Sequence, residues 1–180
     1  MGVYKDHIKD ALPSIKKVRD LKKKLESKGV KYIYSNWIDF LGSPKTKPMP
    51  ISDFEDLCMG KGPQFAVHSV SFVPELTPAD NDQIPVPDLD SLVICPWDKT
   101  CAWVFADLYW NDRPYDVCPR LTLKKQIQKS AKSDLKFYVG IEPEFFLMKW
   151  EGDKPVKAID RDPIPLRRQA FGYDSEYSID

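Results

Sequence analysis

The run from Phe137 to Trp150 is largely apolar, yet it carries two carboxylates, Glu142 and Glu144, one residue apart. In an extended strand, residues two apart share a face. The pair would then point the same way, and ionised carboxylates in apolar surroundings need compensation. A hard divalent cation, Mg²⁺ or Mn²⁺, supplies it through oxygen coordination. Two such ions, about 3.5–4 Å apart, could each take one carboxylate, an arrangement suited to phosphoryl chemistry. The alternative is a half-buried strand whose solvated face carries both Glu, with Phe137, Val139, Ile141, Phe145 and Leu147 alternating on the buried face. Pro143 lacks an N–H and fits an edge strand or a bulge.

Lys+Arg and Asp+Glu both total 27, so no excess charge argues for nucleic acid or a membrane surface as partner. The longest apolar runs fall short of the ~20 residues that span a bilayer. The N-terminus is Lys-rich without an apolar signal core. Cys58, Cys95, Cys101 and Cys118 form no C-x-x-C pair, and His7 and His68 are the chain's two histidines. Reduced thiols in a cytoplasmic protein are the expectation.

Residues 14–28 read as an amphipathic helix, with Ile15, Val18, Leu21 and Leu25 at helical spacing, Ser14 as N-cap and Gly29 as stop. A strand is expected over 30–38, running into the turn Asp39-Phe40-Leu41-Gly42. Ser52-Asp53-Phe54-Glu55 has the pattern of a capping box for a short helix ending near Gly60. Further strands are expected at 64–72, 91–96 and 100–110. Residues 73–90 carry Pro74, Pro78, Pro85 and Pro87 and read as an ordered loop. Pro119 is placed to start a helix over 120–132. The fold class is α+β, with a mainly antiparallel or mixed sheet and a core drawn from Ile33, Phe65, Val93, Val104 and Phe105. Residues 153–180 read as a loose tail or a connection.

The ordered set of landmarks resembles the N-terminal part of the glutamine synthetase family. These are Asp39-Phe40-Leu41-Gly42, Pro48-Met49-Pro50, Gly62 to Phe65, Asp82 to Asp88, Leu92 to Trp97, Ala106-Asp107-Leu108-Tyr109, Cys118-Pro119-Arg120-Leu121, and the segment from Gly140 to Leu147. The wording looks closest to the type III and γ-glutamylmethylamide synthetase group. The resemblance implies a β-grasp domain over 14–112 and the beginning of a catalytic domain over 113–180. It implies ATP-dependent joining of an amine, ammonia or a small alkylamine, to the γ-carboxylate of glutamate through γ-glutamyl phosphate. It implies Glu142 and Glu144 as ligands of Mg²⁺ or Mn²⁺, the first beside the nucleotide phosphates and the second nearer glutamate. Its partners would be ATP, glutamate, the amine and further copies of itself in a ring, a dodecamer in the full-length protein.

Two departures from the family pattern bear on function. Ammonia-using members carry Phe-Asp-Gly-Ser-Ser where this chain has Phe65-Ala66-Val67-His68-Ser69. Ala66 cannot attract ammonium, so an alkylamine is one expectation, and Asp80 or Asp82 as a substitute acid is the other. The remaining expected ligands lie beyond Asp180, so the chain alone is expected to be inactive. A catalytically dead or truncated module with an oligomerising or regulatory role is the alternative.

Overall fold

The computed structural model describes residues 2–67 and 76–158. They divide into two compact units, the first ending at Phe137 and the second beginning at Tyr138. In the first, a short helix α1 (Ile8–Ala11) precedes α2 (Ile15–Ser27). The Ser14 hydroxyl accepts the Lys17 N–H at 3.3 Å, which satisfies one of the free donors of the first turn. The helix closes on Gly29, whose φ of +84° suits a residue without Cβ. Gly29 N–H donates to Glu26 O at 2.9 Å and Val30 N–H to Leu25 O at 3.1 Å, a Schellman closure with Val30 and Leu25 both buried.

Strand β1 (Tyr32–Ile38) follows and turns back at Asp39. One Asp39 carboxylate oxygen accepts from Leu41 N–H at 2.9 Å and Ser43 N–H at 2.8 Å. The chain then pairs antiparallel with β1 as β2 (Pro44–Pro50). This strand is not apparent in the sequence, because three of its seven residues are proline. Pro44, Pro48 and Pro50 occupy alternate positions opposite Ile38, Tyr34 and Tyr32. Their missing N–H groups can therefore all face the free side of an edge strand.

A 3₁₀ turn (Ile51–Asp53) leads into α3 (Phe54–Cys58). The expected capping box does not form. The Ser52 hydroxyl donates to the Asp53 carboxylate at 2.8 Å, and Glu55 pairs with Arg19 on α2 at 3.0 Å. Gly62 then passes so close to α3 that a Cβ there would lie 2.5 Å from the Leu57 Cα. The strand expected at 64–72 is represented by a single antiparallel bridge, Phe65 to Gln83; residues 68–75, His68 among them, lie outside the described residues.

The stretch expected as a loop over 73–90 also contains a strand, β3 (Ile84–Pro87), antiparallel to β5 (Cys101–Trp110). The alternation of Pro85 and Pro87 conceals it, as in β2. Two short strands, β4 (Val93–Ile94) and β6 (Arg113–Pro114), also pair with β5. The sheet order is β2-β1-β5-β3, with β1 and β5 parallel at its centre. Helices α2 and α3 pack against one face of this mixed sheet, and the unit is α+β and β-grasp-like. Helix α4 (Pro119–Ala131) starts at its proline, as expected.

The core forms two clusters. Val18, Leu25 and Val30 meet Ile33, Phe54, Leu57, Ala102 and Val104 in the first. Trp37, Phe65, Val67, Val86, Leu108, Tyr109, Tyr115, Cys118 and Leu121 form the second, where Trp37 stacks on Phe65 with centroids 4.3 Å apart. Of the expected core residues, Ile33, Phe65 and Val104 are buried, whereas Val93 is 56% and Phe105 41% exposed. Neighbours in a strand point to opposite faces, so Val104 and Phe105 could not both face the first core cluster.

The second unit is a hairpin of β7 (Met148–Glu151) and β8 (Lys154–Lys157), turning at Gly152 with φ +59°. Part of the expected loose tail is therefore a strand; residues 159–180 lie outside the described residues. The strand expected from Phe137 onward is regular only over β7. Val139, Ile141 and Phe145 are each 80% exposed or more, where a buried face was expected.

Phe54 is fully buried between α2 and the sheet. Phe54→Ala should lower unfolding free energy by about 3–5 kcal/mol, measured by urea denaturation, whereas Ser14→Ala should cost about 1 kcal/mol.

Candidate functional site

Glu142 and Glu144 lie in the irregular stretch before β7, and both side chains are exposed. Neither has an ion pair or hydrogen bond among the described residues. They are oxygen donors not neutralised by Lys or Arg, which fits a hard divalent cation. Two carboxylates supply only part of the near-octahedral shell that Mg²⁺ demands, and no cluster of three or more His, Cys, Asp or Glu with metal-holding geometry occurs among the described residues.

The other predicted position, Ala66, follows the Phe65–Gln83 bridge directly, and Asp82 precedes it on the opposing segment. The bridge thus brings Ala66 and Asp82 to the same end. Asp80 is occupied locally: its carboxylate accepts the Thr77 N–H at 2.7 Å and hydroxyl at 3.1 Å. Of the two candidate substitute acids, Asp82 is the exposed one beside the bridge.

These features can be set beside known proteins. Residues 116–176 match the family model for the glutamine synthetase catalytic domain. The chain is 37% identical over 150 residues to the glutamine synthetase of Rhizobium meliloti (strain 1021), covering 83% of this chain and 34% of that protein. It is 32% identical over 127 residues to the glutamate–methylamine ligase of Methyloversatilis universalis, covering 69% and 28%. A solved GmaS/ADP complex superposes with a TM-score of 0.59 at 30% identity, covering 64% of this chain and 26% of that one. The chain belongs to the glutamine synthetase family. It spans about a third of the length of the curated relatives it matches.

The family landmarks have a physical meaning that their sequence order does not reveal. Asp88, Asp107 and Arg120 come from three separate landmarks and meet in one place, joined by Lys124. Asp88 follows β3, Asp107 lies on β5, and Arg120 and Lys124 are one turn apart on α4. Lys124 Nζ donates to Asp107 Oδ2 at 2.5 Å and Asp88 Oδ2 at 3.1 Å. Arg120 Nε donates to Asp107 Oδ1 at 3.0 Å, and its guanidinium also holds Asp88. The Gly2 N–H reaches Asp88 at 3.2 Å.

Lys124 is only 4% exposed, and both aspartates are buried. Two carboxylates and two cations balance, so no net charge is left out of water. Composition cannot reveal such a cluster. The legible signal was a Lys on what an amphipathic reading makes the buried side of α4, one turn from Arg120. A polar cleft of about 210 Å³ opens beside the cluster, lined in part by Lys5, Asp10, Lys17 and Asp90.

Burial alone would push the Asp88 carboxyl up; the Gly2 N–H, Lys124 and Arg120 outweigh it and hold the group at about 2. A carboxyl depressed in the folded state contributes stability that is fully present above its unfolded value, about 3.9, and is lost as pH falls through the folded one. Unfolding free energy should therefore drop between about pH 4 and pH 2, and Asp88→Asn should flatten that limb. At neutral pH the same substitution should destabilise by about 3–5 kcal/mol, because it leaves buried positive charge uncompensated. Denaturant titrations across that pH range check both outcomes.

Proposed function

We propose that this chain is the N-terminal portion of an ATP-dependent glutamate–amine ligase, acting through γ-glutamyl phosphate. The reading is carried by similarity that spans most of the chain and includes both a glutamine synthetase and a glutamate–methylamine ligase. In this reading residues 14–112 are the β-grasp domain and 113–180 the beginning of the catalytic domain, which the family match from residue 116 supports. The protein would work in the cytoplasm as a ring of identical subunits. No helix among the described residues is long and apolar enough to cross a membrane.

Glu142 and Glu144 are the residues we assign to divalent-ion binding. When bound, Mg²⁺ or Mn²⁺ would neutralise charge on the transferring phosphoryl group. The protein's own contribution here is two fixed negative charges on adjacent alternate positions, with Pro143 restricting the backbone between them. The 180 residues alone would not catalyse, since two carboxylates leave most of the coordination shell to water.

For the amine, Ala66 supplies no charge, which favours a substrate that binds partly through apolar contact, at about 0.8 kcal/mol per buried CH₂. The position of Asp82 beside the Phe65–Gln83 bridge keeps ammonia as the second reading.

In the longer reading frame expressed with its downstream sequence, Glu144→Gln should abolish most ATP- and glutamate-dependent phosphate release and weaken its dependence on Mg²⁺. Near-wild-type turnover would remove Glu144 from the metal site. The ratio of kcat/KM for methylamine to that for ammonia should exceed one. Ala66→Asp should shift that ratio toward ammonia; if Asp82→Asn instead removes ammonia use in the unmodified background, the second reading holds.

A further inference from the structure

Strands β4 and β5 are joined by a tight connection through Pro96, Trp97, Asp98, Lys99 and Thr100. Their register pairs Val93 with Trp103 and Ile94 with Ala102. The next antiparallel pair is Cys95 opposite Cys101, and the Cys95 N–H donates to the Cys101 carbonyl at 2.9 Å. Directly opposed residues of a hydrogen-bonded pair place their side chains on one face with Cα atoms about 5.5 Å apart. Disulfides span Cα separations of about 4.4–6.8 Å. One of that pair's two bonds is made, the Cys101 N–H donating instead to the Asp98 carbonyl at 3.1 Å, and the pair geometry puts the two Cα atoms within the range a disulfide spans.

Both thiols are free. Cys95 is 1% and Cys101 8% exposed, so Cys101 is the one an external reagent meets first. It is also the one the turn holds: its Sγ donates to Asp98 Oδ2 at 3.2 Å. Asp98 Oδ1 in turn accepts the Thr100 N–H at 2.9 Å and hydroxyl at 2.7 Å. The other two cysteines have no such partner position. Cys58 belongs to α3 in the first core cluster, and Cys118 to the start of α4 in the second.

We propose that Cys95 and Cys101 form a reversible cross-strand disulfide, making the β4–β5 hairpin a thiol–disulfide switch. The oxidant is a small-molecule disulfide. The Cys101 thiolate attacks one of its sulfurs, forming a mixed disulfide and releasing one thiol. The Cys95 thiolate then attacks Cys101 Sγ, closing the protein disulfide and releasing the second thiol. Two protein thiols are oxidised, one external disulfide is reduced to two thiols, and both protons leave with the released thiols. Burial raises the Cys95 thiol above its ordinary value, which lowers the fraction present as the attacking thiolate and slows the closing step.

Closing the bond removes the Cys101 donor from Asp98 and so resets the turn that carries Trp97. That ring meets Trp103 edge-on, with centroids 5.3 Å apart, and tryptophan emission should follow the change.

The test equilibrates the whole unmodified chain with oxidised glutathione, quenches with N-ethylmaleimide in denaturant, and digests with trypsin. Trypsin cleaves after Lys99, between the two cysteines, but leaves Cys101 and Cys118 on one peptide because Pro114 protects Arg113. The expected product is therefore two joined peptides, whose bond fragmentation places between Cys95 and Cys101. They should separate on reduction, with Cys58 and Cys118 alkylated. Two of the four thiols should be lost to alkylation, and reduced glutathione should restore them. Alkylation of all four thiols, stable mixed disulfides with glutathione, or a bond that maps to Cys58 or Cys118 would each overturn the proposal.

Discussion

Strand β5 is the constraint on which the first unit depends. Its upper half, from Cys101 to Phe105, runs parallel to β1 and receives β4; its lower half, from Ala106 to Tyr109, receives β3, and its end receives β6. The side-chain requirements differ between the halves. In the upper half Ala102 and Val104 face the first core cluster, while Trp103 and Phe105 face outward. In the lower half both faces are covered, so Asp107, on the second face, must be matched by charge. Lys124 and Arg120 of α4 meet that requirement, and Asp88 completes the balance. The helix is therefore held to the sheet by a charge-matched contact as well as by Leu121. Displacing it would strand ions in a poorly hydrated site.

The same arrangement links a segment that the catalytic-domain model matches to one that it does not. Asp88 and Asp107 lie in the stretch read as β-grasp, Arg120 and Lys124 in the stretch matched by the catalytic-domain model. The compact unit runs on to Phe137, so packing carries α4 with the sheet. The family match and the first compact unit therefore overlap over residues 116–137, where the ionic cluster joins α4 to the sheet.

Helix α2 was legible because its periodicity, Ser14 cap and Gly29 closure agree, and α4 from its Pro119 start. Strands β1 and β5 were legible from their β-branched and aromatic content. Strands β2 and β3 were not, since proline usually marks a break, and its meaning changes only when alternate positions face a free edge. The capping box at Ser52 did not form, and Glu55 pairs instead with Arg19 across to α2. Val93 and Phe105 were misplaced because hydrophobicity does not say which face of a strand is covered. At the candidate site, the residue types were readable, but the charge cluster was not. Its members are far apart in sequence, and only the pairing of β3 with β5 brings Asp88 near Asp107.

The segment before β7 has one further consequence, for handling of the protein in solution. Phe137 to Ile141 and Phe145 to Trp150 are two short apolar runs, and most of their large side chains are open to water. Joined without interruption they would form a continuous segment able to stack edge to edge with copies of itself. Glu142-Pro143-Glu144 divides them: the proline removes a ladder donor, and the two charges repel the same pair on a neighbouring chain. The residues assigned to metal binding therefore also act as gatekeepers. Charge-neutral substitutions at Glu142 and Glu144, made to study catalysis, would at the same time weaken the barrier that keeps these apolar runs from associating.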